Sequence, residues 1–153
     1  YHPLDIVPLP VPQILFCTLV HPHIELRTAD SRSVLRKQLS LKEAVMQSGN
    51  IAGFIAALYE NDLALLGRSL KDVIAEPSRA LLIPGFYELR SGIQFLGALG
   101  SGISGSGPTI FILSPDQKTA EAVGSKAKEV FAQIGLGVDV FVSEVNKRGA
   151  FVV

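Results

Sequence analysis

A stretch rich in glycine and serine, GALGSGISGSGPT at residues 97–109, is the part of this sequence best suited to binding a ligand through its backbone. Five glycines and three serines fall within these thirteen residues, and Gly100, Gly102 and Gly105 match the spacing G-x-G-x-x-G. Backbone without side chains allows close approach and can direct N–H groups towards an anion. The spacing therefore raises three alternatives: a dinucleotide-binding loop, another phosphate-facing loop, or a tight turn.

The residues after the glycines exclude the two best-known phosphate loops. A dinucleotide fingerprint leads from a strand into a helix, but here Pro108 and the β-branched run TIFIL (109–113) favour a second strand. A P-loop needs a Lys-Ser or Lys-Thr pair after its glycines, and the sequence has none there. We therefore predict a strand–turn–strand unit, whose extra glycines are explained equally well by a ligand-facing backbone or by a β-bulge or close packing.

Three other patterns are weaker candidates for chemistry. His21 and His23, in H-P-H, are too close together for most zinc geometries and have only Glu25 nearby, which predicts histidines in a loop at a strand end and no metal site. The serines do not form the G-x-S-x-G elbow of hydrolases, because a strand follows them. Cys17 is the single cysteine, lies in an apolar run and is expected in the core.

The elements that must position these residues follow from the spacing of apolar residues. Strands are predicted at Ile14–Val20, TIFIL and VDVFVSEV (138–145), with one more strand near the glycines. Helices are predicted from Thr28, as the N-cap, to about Leu39; from the capping box of Ser40 and Glu43 to Tyr59; at Leu63–Ile74; at Phe86–Leu96; and from Pro115-Asp116 to Ile134, with PSRALLIPG (77–85) as a loop or short helical turn. This order predicts an α+β fold with a mostly antiparallel four-stranded sheet and helices packed on one face, similar to a ferredoxin-like domain with extra helices.

The predicted helix after Ser40 carries apolar residues at helical spacing, including Leu41, Val45, Ala52 and Ile55. Gly49 and Gly53 lie four residues apart on one face of it, so we expect another helix to approach closely there.

Composition restricts the class of partner. Fourteen Lys and Arg balance fourteen Asp and Glu among 153 residues, so the chain lacks the basic surface that binds nucleic acid or anionic membranes. No apolar run approaches the 18 or more residues of a membrane helix, and the single cysteine fits a reducing, cytoplasmic setting.

The start of the chain predicts its domain organisation. Prolines at positions 3, 8, 10 and 12 and the absence of an initiator Met predict an extended linker over residues 1–12 and a domain over 13–153, the C-terminal piece of a longer protein.

Three stretches carry a resemblance to a known family. SGISGSGPTIFIL (101–113) resembles the C-terminal glycine-rich motif of the GHMP kinases, which include galactokinase, homoserine kinase and mevalonate kinase. HPHIELRTADSRSVL (21–35) and DVIAEPSRALLIPGF (72–86) are similar, in order and spacing, to the homoserine kinases among them. The match covers most of the chain, whereas the N-terminal G-L-G-S-S-A type phosphate loop of the family is not found in it.

The resemblance implies the substrate-closing C-terminal domain of a two-domain enzyme that uses ATP to phosphorylate the hydroxyl of L-homoserine, giving O-phospho-L-homoserine in threonine biosynthesis. It implies substrate contacts from Thr28, Arg32 and Arg79, since an Arg fork can bind a carboxylate bidentately. It places the glycine-rich loop near the transferred phosphate, with the residues Gly102, Ser104, Gly105, Ser106 and Gly107.

It further implies that ATP and Mg²⁺ are held mainly by an N-terminal domain, which is an expected partner, and that these 153 residues alone are inactive and carry no catalytic residue or metal ligand. A homodimer is left open. Two alternatives remain: the C-terminal domain of another GHMP small-molecule kinase, of the mevalonate or isoprenoid type, and a non-catalytic ferredoxin-like ligand-binding module.

Overall fold

In a computed structural model, which describes residues 5–149, the chain forms a four-stranded antiparallel sheet with helices. The strands are β1 (Phe16–Pro22), β2 (Gly100–Ile103), β3 (Ile110–Ser114) and β4 (Val138–Glu144). Their order in the sheet is β2-β3-β1-β4, and every neighbouring pair is antiparallel. β1 and β2 are parallel with β3 between them, and β3 and β4 are parallel with β1 between them. This is the ferredoxin-like arrangement that the sequence predicts.

Helices fill the two long connections of the sheet. The first, from β1 to β2, contains α1 (Thr28–Ser33), α2 (Leu41–Glu60), α3 (Leu63–Ser69), α4 (Glu76–Arg79) with a 3₁₀ turn at Ala80–Leu82, and α5 (Phe86–Gln94). The second, from β3 to β4, is α6 (Gln117–Gln133). Residues 5–12 form neither helix nor strand, and residues 1–4 and 150–153 lie outside the described residues. The linker over residues 1–12 stays a prediction.

Strand alternation divides the apolar residues between two clusters, so helices contact both faces of the sheet. Val20, Ile110 and Ile112 point to one face, where α5 and α6 pack on them through side chains such as Phe86 and Phe131. The intervening Cys17, Phe111 and Leu113 point to the other face and join a cluster with α2 and α3, centred on Ala57, Leu58 and Leu66. The prediction of helices on one face therefore holds for α5 and α6. In addition, α2 and α3 form a second helix layer on the other face.

Three predicted elements have different boundaries in the structure. α1 ends at Ser33 rather than near Leu39, and Thr28 is its first residue rather than its N-cap, which is Arg27. α3 ends at Ser69 rather than Ile74, because the Asp72 carboxylate accepts hydrogen bonds from the N–H groups of residues 74–76 and so starts α4. The first strand is shifted by two residues, so that His21 lies in β1, paired with Asp139, and not in a loop.

The capping box that predicts the start of α2 is confirmed. Ser40 Oγ accepts from the Glu43 N–H at 3.2 Å, and the Glu43 carboxylate accepts from the Ser40 N–H at 2.9 Å. The Ser40 N–H and the Arg36 guanidinium, which also contacts this carboxylate, lower the pKa of Glu43 to about 2. The start of α2 is thus fixed by its own sequence.

Candidate functional site

The glycine-rich stretch contains β2 and, over residues 104–109, the connection from β2 to β3, which confirms the strand–turn–strand prediction. The Ser104 N–H donates to the Thr109 carbonyl at 2.8 Å, and the Gly107 N–H donates to the Ser104 carbonyl at 3.0 Å. Gly105 and Gly107 have φ values of +59° and +83°, in the left-handed region that favours glycine. The loop is therefore closed by its own backbone.

The glycines serve different purposes, which decides between the two explanations that the sequence leaves open. A Cβ on Gly102 would lie 2.8 Å from the ring of Phe111, so this buried glycine is required by packing between β2 and β3. A Cβ on Gly105 would have no heavy atom within 4 Å, and the residue is exposed. Close packing explains Gly102, whereas the tip of the loop at Gly105 is open to a ligand.

Helix α1 holds this loop through a buried serine that the sequence analysis did not single out. Ser31 is fully buried, and its Oγ donates to the Ser106 carbonyl at 2.8 Å. Thr28, one turn earlier, places its Oγ1 3.4 Å from Ser106 Oγ. The i, i+3 spacing of Thr28 and Ser31 on a helix was the available signal, since such residues share a face.

Arg79 joins three segments at this point. Its Nε donates to the Ser31 carbonyl at 3.2 Å, and its Nη1 donates to the Gly105 carbonyl at 2.9 Å. A guanidinium carries five N–H donors, so three of them are left for a ligand or water. The structure thus brings Arg79, Thr28 and residues 104–107 together, and half-buried Arg79 links α4 to α1 and to the loop.

Arg32 is not part of this cluster. It lies in the last turn of α1 with an exposed side chain, and within residues 5–149 this side chain makes no hydrogen bond or ion pair. The predicted i, i+4 pairing with Thr28 on one helix face does not lead to a shared contact with the loop.

The four-residue helix α4 that carries Arg79 is fixed at its start by two acidic side chains. The Asp72 carboxylate caps it, as described above, and the buried carboxylate of Glu76 forms an ion pair and a hydrogen bond with Arg90 of α5. Burial raises the pKa of Glu76, and Asp72 adds to this, while Arg90 opposes it. The position of Arg79 therefore depends on a charge pair one helical turn before it.

Two other polar contacts lie near the loop. His21 Nδ1 is 2.8 Å from Thr109 Oγ1, where the loop joins β3. His23 Nε2 is 3.0 Å from Asp139 Oδ2, at an exposed position. Among the described residues, no three His, Cys, Asp or Glu side chains are grouped so that they could hold a metal ion, and this includes both histidines.

A cavity of about 330 Å³ lies next to this cluster but does not include it. Its lining comes from the inner side of α2, the segment 69–72, Glu76, and residues 101–103 and 111 of the sheet. Neither Thr28, Arg79 nor the loop tip lines it. Thr28, Arg79 and the loop tip thus form an open surface cluster rather than an enclosed pocket.

Comparison with known proteins adds information that the geometry alone does not contain. Residues 54–133 match the family described as GHMP kinases C terminal. The chain is 48% identical over 155 residues to a homoserine kinase of Chlorobium phaeobacteroides, with 100% of this chain and 48% of the relative covered. It is similar to the crystal structure of a homoserine kinase from Cytophaga hutchinsonii, with a TM-score of 0.93, 50% identity, and 96% of this chain and 47% of that chain covered.

More distant structures share the fold alone. The mevalonate kinase of L. major has a TM-score of 0.64 at 17% identity, with 89% of this chain and 44% of that chain covered. This chain spans about half the length of the curated relatives it matches. In the part of the chain that the structure describes, none of the helices has the length and apolar character needed to cross a bilayer.

Proposed function

This chain belongs to the family of GHMP kinase C-terminal domains, and on that premise we propose that it is the substrate-closing half of an ATP-dependent homoserine kinase. The reaction transfers the γ-phosphoryl group of ATP to the hydroxyl of L-homoserine and yields O-phospho-L-homoserine. The identity of 44–48% with homoserine kinases over nearly all of the chain supports this substrate. Residues 1–12 would be the crossover from an N-terminal ATP-binding domain, and residues 13–153 the C-terminal domain.

The observation that carries the proposal is the placement of Arg79 between α1 and the glycine-rich loop. Two of its N–H groups are engaged by backbone carbonyls, which fix the plane of the guanidinium. The remaining donors are available for the carboxylate of homoserine, and a charge-assisted bond of this kind contributes about 1.5–3 kcal/mol. Thr28 would add a hydroxyl contact, and Arg32, exposed and unengaged within the described residues, would reach the substrate only once it is bound.

The loop residues Gly102, Ser104, Gly105, Ser106 and Gly107 would lie beside the transferred phosphate. The Gly105 carbonyl accepts from Arg79, and the Ser106 carbonyl accepts from Ser31. Because the N–H and C=O of a trans peptide point in opposite directions, the Ser106 N–H is directed away from Arg79. Gly105 is open to solvent, and Ser104 is exposed there as well. Phosphoryl transfer depends mainly on positioning and charge neutralisation, and this loop would contribute to positioning.

The family resemblance assigns ATP and Mg²⁺ mainly to the N-terminal domain, and no step proposed for this chain passes through the metal. The balanced charge and the single cysteine support a cytoplasmic enzyme with small-molecule substrates and no nucleic-acid or membrane partner.

The test is a steady-state assay of the longer protein that contains this chain, with homoserine and with mevalonate as acceptors. We expect phosphorylation of homoserine alone, and Arg79→Ala should raise KM for homoserine roughly tenfold to hundredfold, which corresponds to the loss of about 1.5–3 kcal/mol. Arg68→Ala is the matched control, because Arg68 is exposed on α3 with no contact to the cluster. The isolated 153 residues should show no turnover.

Three results would count against the proposal. Phosphorylation of mevalonate but not of homoserine would assign another substrate. An unchanged KM in Arg79→Ala would remove Arg79 from the substrate site. Turnover by the 153 residues alone would contradict the division into an ATP-binding and a substrate-closing half.

A further inference from the structure

The cavity of about 330 Å³ between α2 and the sheet has a free strand edge as one of its walls. β2 comes first in the order β2-β3-β1-β4, so β3 pairs with only one of its two edges. Residues 101–103 of this strand line the cavity, together with residues of α2 and the segment 69–72. Ligand pockets have volumes of about 300–1,000 Å³, so this cavity has room for a small molecule.

The register of the hairpin shows which backbone groups of β2 face away from β3. The Ser104 N–H donates to the Thr109 carbonyl of the neighbouring segment at 2.8 Å. In an antiparallel pair, successive residues point their N–H and C=O groups alternately towards the partner strand and away from it. Counting back from Ser104, the N–H and C=O groups of Ser101 and Ile103 therefore point away from β3.

These outward groups have no protein partner, although the strand is mostly buried. Ser101 is only 6% exposed, and Gly102 is buried as well. Among residues 5–149, no group forms a hydrogen bond with the outward N–H and C=O groups of Ser101 and Ile103, and the Ser101 hydroxyl forms none either. Buried backbone donors and acceptors are nearly always paired. The edge therefore offers both donors and acceptors to a ligand in the cavity.

One charged side chain at the cavity is also unpaired. Lys71 lines the cavity and is exposed, and its ammonium group forms no ion pair or hydrogen bond among the described residues. The two acidic side chains of the lining are already engaged. The Asp72 carboxylate accepts from the N–H groups of residues 74–76, and Glu76 pairs with Arg90. The charge that the cavity can still neutralise is therefore that of an anion.

Apolar side chains from three parts of the chain line the same cavity. Ile51 and Phe54 come from α2, Leu70 follows α3, and Phe111 belongs to β3. A hydrophobic group between them is removed from water, which is favourable in proportion to its area. The cavity thus combines an unpaired strand edge, a cation and an apolar wall. Proteins bind the last residue of an extended chain with these features, through main-chain hydrogen bonds, a site for the carboxylate and a side-chain pocket.

We propose that this cavity binds an N-acylated amino acid with an apolar side chain. The amide N–H of the ligand donates to a carbonyl of the β2 edge, and its carboxylate accepts from an N–H of this edge and pairs with Lys71. Its side chain packs against Phe54 and Phe111. Thr28, Arg79 and the loop tip do not line the cavity, so this site is separate from the proposed substrate site and does not depend on the reaction.

The experiment titrates the longer protein that contains this chain with N-acetyl-L-phenylalanine and measures the heat of binding by calorimetry. A ligand of this size is expected to bind with a Kd of about 0.1–1 mM. Two analogues test the polar contacts. The methyl ester lacks the carboxylate, and the N-methyl derivative lacks the amide N–H. Each should bind about tenfold more weakly or worse.

A pair of lysine variants tests the cation. Lys71→Met keeps most of the apolar stem and should weaken the binding of N-acetyl-L-phenylalanine about tenfold, since a charge-assisted contact is lost. Lys128→Met on α6 is the matched control, because Lys128 is also exposed and has no hydrogen bond or ion pair from its ammonium group within the described residues. This control should bind the probe as the parent does.

Four results would overturn the proposal. The first is the absence of binding up to about 10 mM N-acetyl-L-phenylalanine. The second is equal affinity for the acid and its N-methyl derivative, since the strand edge would then not be used. Third, if Arg79→Ala weakens binding and Lys71→Met does not, the probe binds at the surface cluster instead. Fourth, a peptide that ends in phenylalanine and binds about tenfold more tightly would assign the edge to a protein chain and not to a small molecule.

Discussion

Replacing Arg90 by Met should destabilise the fold in a manner that depends on pH. The change keeps the apolar stem of the side chain and removes the charge that pairs with the buried Glu76 carboxylate. Removing one partner of a fully buried pair costs about 3–5 kcal/mol. Since the Arg90 side chain is 32% exposed, water compensates in part, and we expect a loss of about 2 kcal/mol at pH 8.

The sign of the pH dependence follows from Glu76. Burial already raises the pKa of Glu76, and removal of Arg90 will raise it further. The pKa of this carboxyl group is higher in the folded protein than its ordinary value of 4.5. Its contribution to stability is therefore complete below the unfolded pKa, where the group is protonated in both states. The contribution is lost as the pH rises through the folded pKa, because the buried carboxyl must then ionise. The deficit of Arg90→Met relative to the parent should therefore be small near pH 4.5 and reach its full size above the folded pKa.

Urea unfolding at pH 4.5 and pH 8 measures the deficit. With a slope of about 2 kcal/mol per molar urea, a loss of about 2 kcal/mol moves the midpoint by about 1 M at pH 8. Lys147→Met is the control, because it removes two exposed contacts, the ion pair with Glu144 at 2.7 Å and the hydrogen bond to the Gln13 carbonyl at 2.8 Å. It should cost less than about 1 kcal/mol, and equally at both pH values. Adding Glu76→Gln to Arg90→Met should abolish the pH trend. An equal deficit at both pH values would refute the reasoning, as would no deficit at pH 8.

Three further changes test the loop and the start of α2. Ser31→Ala leaves the Ser106 carbonyl without its buried donor, so urea unfolding should show a loss of about 1–2 kcal/mol, and an unchanged midpoint would contradict this role. Gly102→Ala forces a Cβ to within 2.8 Å of the Phe111 ring and should cost about 1–3 kcal/mol; full stability would show that the ring moves freely. Glu43→Gln removes a carboxylate whose pKa is about 2, so its stability deficit should be largest above pH 4.5 and fade towards pH 2 in a pH series.

The sequence predicts most of the fold because its signals are local. The capping box of Ser40 and Glu43 and the β-branched run after Pro108 each specify an element whatever the rest of the chain does. The end of α3 could not be predicted this way, since it depends on how the Asp72 carboxylate is turned towards residues 74–76. The second helix layer was missed because strand alternation shows which residues share a face, but not which helix covers it.

The candidate site was predictable in part. The loop was recognisable from its glycines, yet only the structure separates Gly102, required by packing, from Gly105 at the open tip. Ser31 was missed because its i, i+3 spacing from Thr28 shows only that the two residues share a helix face, whereas its importance lies in a contact 75 residues away along the chain. A family resemblance, and not the residue pattern itself, singled out Thr28, Arg32 and Arg79. Their role in substrate binding stays a prediction.

Arg79 has an observed structural role beside its predicted substrate contact, and removing the residue cannot separate the two. Its bonds to the Ser31 and Gly105 carbonyls mean that Arg79→Ala would release the loop as well as remove the predicted contact. Ser31→Ala releases the loop from α1 but keeps the guanidinium. If Arg79 acts through substrate binding, Arg79→Ala must raise KM for homoserine well beyond the effect of Ser31→Ala. If its role is only to hold the loop, the two variants must raise KM for homoserine to a similar degree.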